Sequence, residues 1–228
     1  LYSNNTGYSN ISIGHSSLYN STSTSHNIAI GKQALFINQT GSNNVAIGSF
    51  ALYHSTAPYN YAIGFEALYE NTYGTSNIAI GYQALSKNTS GNSNIAIGHS
   101  ALFSSSASFG SVAIGDSSLH KTTTGANNTA TGTVSLYSNT TGSLNTATGN
   151  HTLYSNTTGF FNTANGGYAL WSNTTGYYNT AIGTQALNSN TTGYGNTANG
   201  RGALYTNTTG RYNTANGFQA LNYNTTGE

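Results

Sequence analysis

The chain has no cysteine, no methionine, one proline and very little charge: Lys and Arg total 5, and Asp and Glu total 4, in 228 residues. Without cysteine there is no disulfide framework, and no argument about redox compartment can start from one. Charged residues make up 4% of the chain, against a usual share of about a quarter. A formal net charge of +1 gives no field to steer the chain toward nucleic acid or an anionic membrane. Solubility therefore rests on Asn, Ser, Thr and Tyr. No apolar run approaches the roughly 20 residues of a membrane span, and no signal peptide is visible. With no methionine, and with both termini falling in mid-repeat, the chain reads as a piece of a longer fibre or as a subunit that stacks end to end.

What the chain does have is a repeat. Aligned on the glycine that closes the phrase N-T-A-x-G, the sequence returns at Gly14, Gly31, Gly48, Gly64, Gly81, Gly98, Gly115, Gly132, Gly149, Gly166, Gly183, Gly200 and Gly217. The spacing is 17 residues, with one gap of 16 between Gly48 and Gly64. Pro58, the only proline, lies in that short repeat, where most repeats have a turn glycine. A lost residue and a rigid turn residue together place the deletion in a loop.

A period this short cannot hold a helix pair, and Gly, Asn, Thr and Ser oppose helix. Each repeat offers two short extended runs: x-A-x before the glycine, as in Ile78-Ala79-Ile80, and A-L-aromatic after it, as in Ala67-Leu68-Tyr69. Turns rich in Gly, Asn and Thr separate them. The predicted fold is all-β: a parallel β-solenoid, or β-roll, of about thirteen 17-residue coils. Residues 1–228 form one continuous repeat domain. Stacked at about 4.8 Å per coil, the array is expected to be roughly 60 Å long.

In such a stack every repeat position becomes a row. The fourth residue after the glycine is leucine in every repeat, including Leu35, Leu68, Leu102, Leu136, Leu170 and Leu204, and this row is the expected core ridge. The second residue before the glycine is alanine in all repeats but the first, which has Ser12, so a close opposing wall is expected there. The residues flanking that alanine point the other way. They are apolar in the first half, as in Ile78/Ile80 and Ile95/Ile97. A strand apolar on both faces needs cover on both, which predicts packing with identical chains. In the second half the same rows turn polar, as in Thr129/Thr131 and Thr214/Asn216. An asparagine row that includes Asn77, Asn94, Asn145, Asn179 and Asn213 reads as an amide ladder along the stack. Tyr137, Tyr154, Trp171 and Tyr205 follow the leucine row and form a candidate strip for carbohydrate or surface contact.

Little points to chemistry. Glu66 and Glu70 are close in sequence, but a paired-carboxylate hydrolase also needs a cleft. His15 and His99 share a row yet lie about 24 Å apart by coil spacing, too far to share a metal. The calcium-binding nonapeptide pattern is absent, and no Gly-Lys-Ser/Thr marks a phosphate loop. No catalytic residue, cofactor site or metal site is expected. The phrase Asn-Thr-Thr-Gly recurs from Asn139, Asn156, Asn173, Asn190 and Asn207. It is a turn signature and also an acceptor pattern for N-linked glycan, so these asparagines are candidate glycosylation sites. Regular Thr-x-Thr rungs, Thr129-Ala130-Thr131 and Thr146-Ala147-Thr148, also fit an ice-binding surface.

The phrase Asn-Ile-Ala-Ile-Gly-x-x-Ala-Leu at 77–85 and 94–102 resembles the head repeats of trimeric autotransporter adhesins. The longer array N-T-A-I-G-x-x-A-L-x-x-N-T-T-G is similar to repeats of phage and bacterial tail-fibre-like proteins. The resemblance covers essentially the whole chain. It implies left-handed parallel β-rolls arranged as trimers, with a repeat near fourteen residues that the Asn-Thr-Thr-Gly turn lengthens here. It also implies an extracellular, cell-surface or virion-surface location. The expected role is a structural fibre with adhesive surfaces, self-associating as a homotrimer or an end-to-end polymer. Glycans or cell surfaces are the expected contacts, and nucleic acid is not. A homopolymeric, glycosylated filament and an ice-binding solenoid are the alternatives.

Overall fold

The computed structural model describes residues 3–228. The chain is a parallel β-solenoid with no helix among these residues, and its thirteen strands follow chain order in one sheet. It divides into two compact units, 1–111 and 112–228.

The first unit carries β1 (Ile11–Ile13), β2 (Ile28–Ile30), β3 (Val45–Ile47), β4 (Tyr61–Ile63), β5 (Ile78–Ile80) and β6 (Ile95–Ile97). These strands pair in parallel in chain order, Ser12 beside Ala29 and then alanine beside alanine: Ala79 of β5 lies opposite Ala96 of β6. The 16-residue repeat keeps that register, with Ala46 opposite Ala62. Its missing residue is therefore taken up in the turn around Pro58. The second unit carries β7 (Val112–Ile114), β8 (Thr129–Thr131), β9 (Thr146–Thr148), β10 (Thr163–Asn165), β11 (Thr180–Ile182), β12 (Thr197–Asn199) and β13 (Thr214–Asn216). It repeats the same register, as in Ala181 opposite Ala198.

Each coil has one strand, not the two expected. The Ala-Leu-aromatic run is a turn, because its leucine adopts a left-handed backbone with φ between 47° and 53° in every repeat. That conformation costs about 1–2 kcal/mol for a residue with a Cβ. Complete burial of a leucine contributes about 1.5–3 kcal/mol, so the core drives the bend. The turn still ladders onto the next coil. Leu35 N–H donates to Ala51 O at 3.0 Å, and Ile37 N–H to Tyr53 O at 3.0 Å. Backbone pairing between coils thus continues outside the strands, which satisfies groups that a short turn would otherwise strand.

The closing glycine has φ between 119° and 138° in every repeat, a region that L side chains avoid. A Cβ on Gly81 would also stand 2.5 Å from Gly98 O. Two independent constraints therefore keep this row glycine. The leucine row, from Leu18 to Leu204, and the strand alanines from Ala29 to Ala198 are completely buried. The core of each coil is thin, one leucine against small residues.

Candidate functional site

The candidate core leucines Leu35, Leu68, Leu102, Leu136, Leu170 and Leu204 all lie in the buried row. The asparagine row is an interior amide ladder. Asn94 Nδ2 donates to Asn77 Oδ1 at 3.2 Å and to Ser108 O at 2.8 Å, while Asn94 N–H donates to Asn77 Oδ1 at 3.0 Å. The same triad recurs at Asn145, Asn179 and Asn213. Each amide ties its coil both to the preceding asparagine and to the turn that follows 14 residues on. A buried amide with every group partnered contributes stability that an unpartnered one would cost.

A second amide ladder was not anticipated, and it overturns one expectation. Asn139, Asn156, Asn173, Asn190 and Asn207 are completely buried. Asn156 Nδ2 donates to Asn139 Oδ1 at 2.9 Å and to Gly159 O at 3.0 Å. The Nδ2 of Asn173, Asn190 and Asn207 does the same one coil further on in turn. Asn139 Nδ2 donates to Gly142 O at 2.9 Å. N-linked glycan needs an accessible amide nitrogen, and in the folded chain all five of these nitrogens are inside and occupied. The Asn-Thr-Thr-Gly phrase is a core motif, not an acceptor site. The sequence did hold a signal. Where serine replaces the asparagine, its glycine partner changes too: Ser21 pairs with Thr24, and Ser105 with Ser108, hydroxyl to hydroxyl, whereas Thr122 keeps Gly125. A Cβ on Gly159 would stand 2.3 Å from Asn156 Oδ1, so asparagine requires glycine three residues on, whereas serine does not.

The aromatic strip also differs from expectation. Tyr137 stacks on Tyr154 with centroids 5.3 Å apart, and Tyr154 on Trp171 at 6.3 Å. His120 lies against the other face of Tyr137 at 5.1 Å. Neighbouring coils therefore cover both faces of Tyr137 and Tyr154, and ring edges meet solvent. Tyr205 stands apart from this stack, because Asn188 occupies the row between it and Trp171. A second pair of columns runs along the turn: Phe160, Tyr177 and Tyr194 stack at 4.9 and 4.8 Å, and Phe161 on Tyr178 at 5.1 Å. The two columns meet edge to face, as in Phe160 against Phe161 at 70°, in a herringbone.

Three of the four acids are engaged by a neighbouring coil, while Asp116 accepts from the adjacent Ser117 hydroxyl. Glu66 Oε2 accepts from Gln83 Nε2 at 2.7 Å, and Glu70 Oε1 from Lys87 Nζ at 2.6 Å. That hydrogen bond raises the Lys87 pKa above the usual lysine value. Arg211 pairs with Glu228 and donates to Tyr194 Oη at 3.2 Å, which lowers the Tyr194 pKa. Among the described residues no three His, Cys, Asp or Glu side chains gather as metal ligands, and no helix is long and apolar enough to cross a membrane.

The outward strand rows are half-buried to exposed. In the first unit they are apolar and open: Ile11 is 48% exposed and Ile13 59%, with Tyr61, Ile63 and Ile80 also exposed. In the second unit the first outward position is threonine from Thr129 through Thr146, Thr163, Thr180 and Thr197 to Thr214, all in register. Comparison with family models, curated proteins and solved structures finds no match to this chain.

Proposed function

We propose that this chain is a segment of a structural fibre at a cell or virion surface, self-associating through the apolar strand rows of its first unit and presenting adhesive rows of rings and hydroxyls. The observation that carries the reading is the uncharged, open sheet face of β1–β6, with isoleucines at both outward positions in β1, β2, β5 and β6. Solvent gains nothing from such a surface, and burying it against a second and third copy removes it from water. The trimer follows the likeness of the Asn-Ile-Ala-Ile-Gly phrase to adhesin heads. The near absence of charge suits a role in extension and presentation. Light scattering on the purified chain tests the association: a mass near three chains supports the trimer, and micrometre filaments in negative stain support the end-to-end polymer. A monomer at all concentrations overturns both.

A second reading, ice binding, draws on the six outward threonines of β8–β13, each one coil from the next. A thermal-hysteresis assay decides it, and freezing at the colligative point removes it.

A further inference from the structure

We propose that a notch centred on Gly202 is a subsite for a single pyranose carrying a carboxylate, a proposal that rests on the adhesive reading and gives it a place. The notch has a volume of about 160 Å³ and is lined by Gln185, Arg201, Gly202, Tyr205, Gln219 and Asn222. It exists because one side chain is missing. The second residue after the closing glycine is Gln185 in one coil and Gln219 two coils on, with Gly202 between them. The removed side chain leaves a slot one coil deep.

Four features of the slot match one sugar ring. Its volume lies below the roughly 300–1,000 Å³ of sites for drug-sized molecules. Tyr205 supplies an apolar platform. No ring packs on it among the described residues, because Asn188 and Asn222 hold its row positions in the adjacent coils. That separates it from Tyr137 and Tyr154, whose faces are covered. The polar rim is unspent: the carboxamides of Gln185 and Gln219 have no hydrogen-bond partner among the described residues, in contrast to Gln83 of the same row, which is bonded to Glu66. The carboxamides supply both donors and acceptors for the hydroxyls of one ring. The carboxylate follows from Arg201. Its guanidinium lies over the Phe218 ring at 5.8 Å and has no carboxylate partner. The ion pairs among the described residues are Lys87–Glu70 and Arg211–Glu228. A planar guanidinium held on a ring face presents its donors as a fork that fits a carboxylate.

The repeat supplies variants that are expected to fold. Gly202→Gln places in the notch the residue that both neighbouring coils already carry in the same left-handed conformation, with φ of 62° at Gln185 and 53° at Gln219. Tyr205→Asn copies Asn188, and Arg201→Thr copies Thr184. The probes are glucuronate, glucose and inorganic phosphate, followed by saturation-transfer NMR and calorimetry on the full chain, with circular dichroism as the folding control. Glucuronate is expected to bind with a Kd on the order of millimolar, with glucose and phosphate each about tenfold weaker or more. Gly202→Gln and Tyr205→Asn abolish the signal, and Arg201→Thr removes the preference for glucuronate over glucose. Undiminished binding by folded Gly202→Gln overturns the subsite, as does equal response to glucuronate and phosphate, or no response to either sugar. Retention on a glycan-coated surface separates this from the adhesive reading. If parent and Gly202→Gln are retained equally, the subsite fails and adhesion stands. If glucuronate binds but neither protein is retained, the subsite stands and adhesion fails.

Discussion

The closing glycine of each coil is constrained in conformation, and all but Gly217 are constrained in space as well, whereas a glycine such as Gly202 is freer in both. Gly81 has φ 135° and no room for a methyl group against Gly98 O. Gly202 has φ 65°, a value side chains tolerate at moderate cost, and a Cβ there would meet only Gln219 Cγ at 3.5 Å. Gly81→Ala is therefore expected to cost about 3 kcal/mol or more, and Gly202→Ala about 1 kcal/mol or less. Repeat arrays do not unfold as one two-state unit. Hydrogen exchange of amides in the altered coil and its neighbours is the measurement, with loss of protection expected around Gly81 and retention around Gly202. The amide ladder makes a second residue-level case. Asn162 donates to Asn145 Oδ1 and Gly176 O, and its Oδ1 accepts from Asn179 N–H and Nδ2. Asn162→Ala leaves several buried groups unpartnered, at about 1–3 kcal/mol each. Exchange protection at Asn179 N–H is expected to fall in that variant, and unchanged protection there contradicts the ladder.

At the level of the coil, the Asn-x-x-Gly turn and the Ser-x-x-Ser turn are two solutions to one packing problem. A Cβ on Gly91 would stand 2.4 Å from Asn88 Oδ1 and 2.3 Å from Ser108 O. Gly91→Ser alone is expected to destabilise strongly. Adding Asn88→Ser, which recreates the Ser105–Ser108 pair, should recover at least about 1 kcal/mol relative to the sum of the single changes, as read in a double-mutant cycle. Simple additivity would mean that the two positions do not share a solution. The ion pair between coils has less at stake. Lys87 and Glu70 are both substantially exposed, so Lys87→Gln is expected to cost less than about 0.5 kcal/mol in a denaturant titration. The Lys87 pKa is raised by its bond to Glu70. The pair's small contribution is thus full below the unfolded lysine pKa and is lost as pH rises through the raised folded value. The period, the leucine row, the strand register and the first amide ladder were legible because each is a fixed residue at a fixed spacing. The bend at the leucine was not, since leucine has no preference for left-handed backbone and only its burial explains the conformation. The second ladder was hidden by a local motif with another meaning. The notch was hidden because a substitution to glycine in a glycine-rich chain carries no signal until its neighbours are in place.

For the molecule as a whole, cohesion comes from amides, hydroxyls and a single apolar row, with charge contributing little. Raising salt from 0.05 to 1 M screens surface charges, and the thermal midpoint of this protein is expected to move by no more than a few degrees. A large drop would show that the few ion pairs matter more than their exposure implies. Association is the property expected to respond to surface change: replacing Ile78, Ile80, Ile95 and Ile97 by threonine, the residue β8 carries at both outward positions, should yield monomer by light scattering while leaving the coil register intact. Persistence of the larger mass would place the contact elsewhere. The short coil around Pro58 has one further consequence. It drops a residue and still hands Ala46 to Ala62 in register, so the join between successive laps tolerates a change in the length of the turn. Removing any whole period brings together ends already shaped to meet. The gene can therefore lengthen or shorten its product one lap at a time by unequal recombination, and each resulting length is expected to fold.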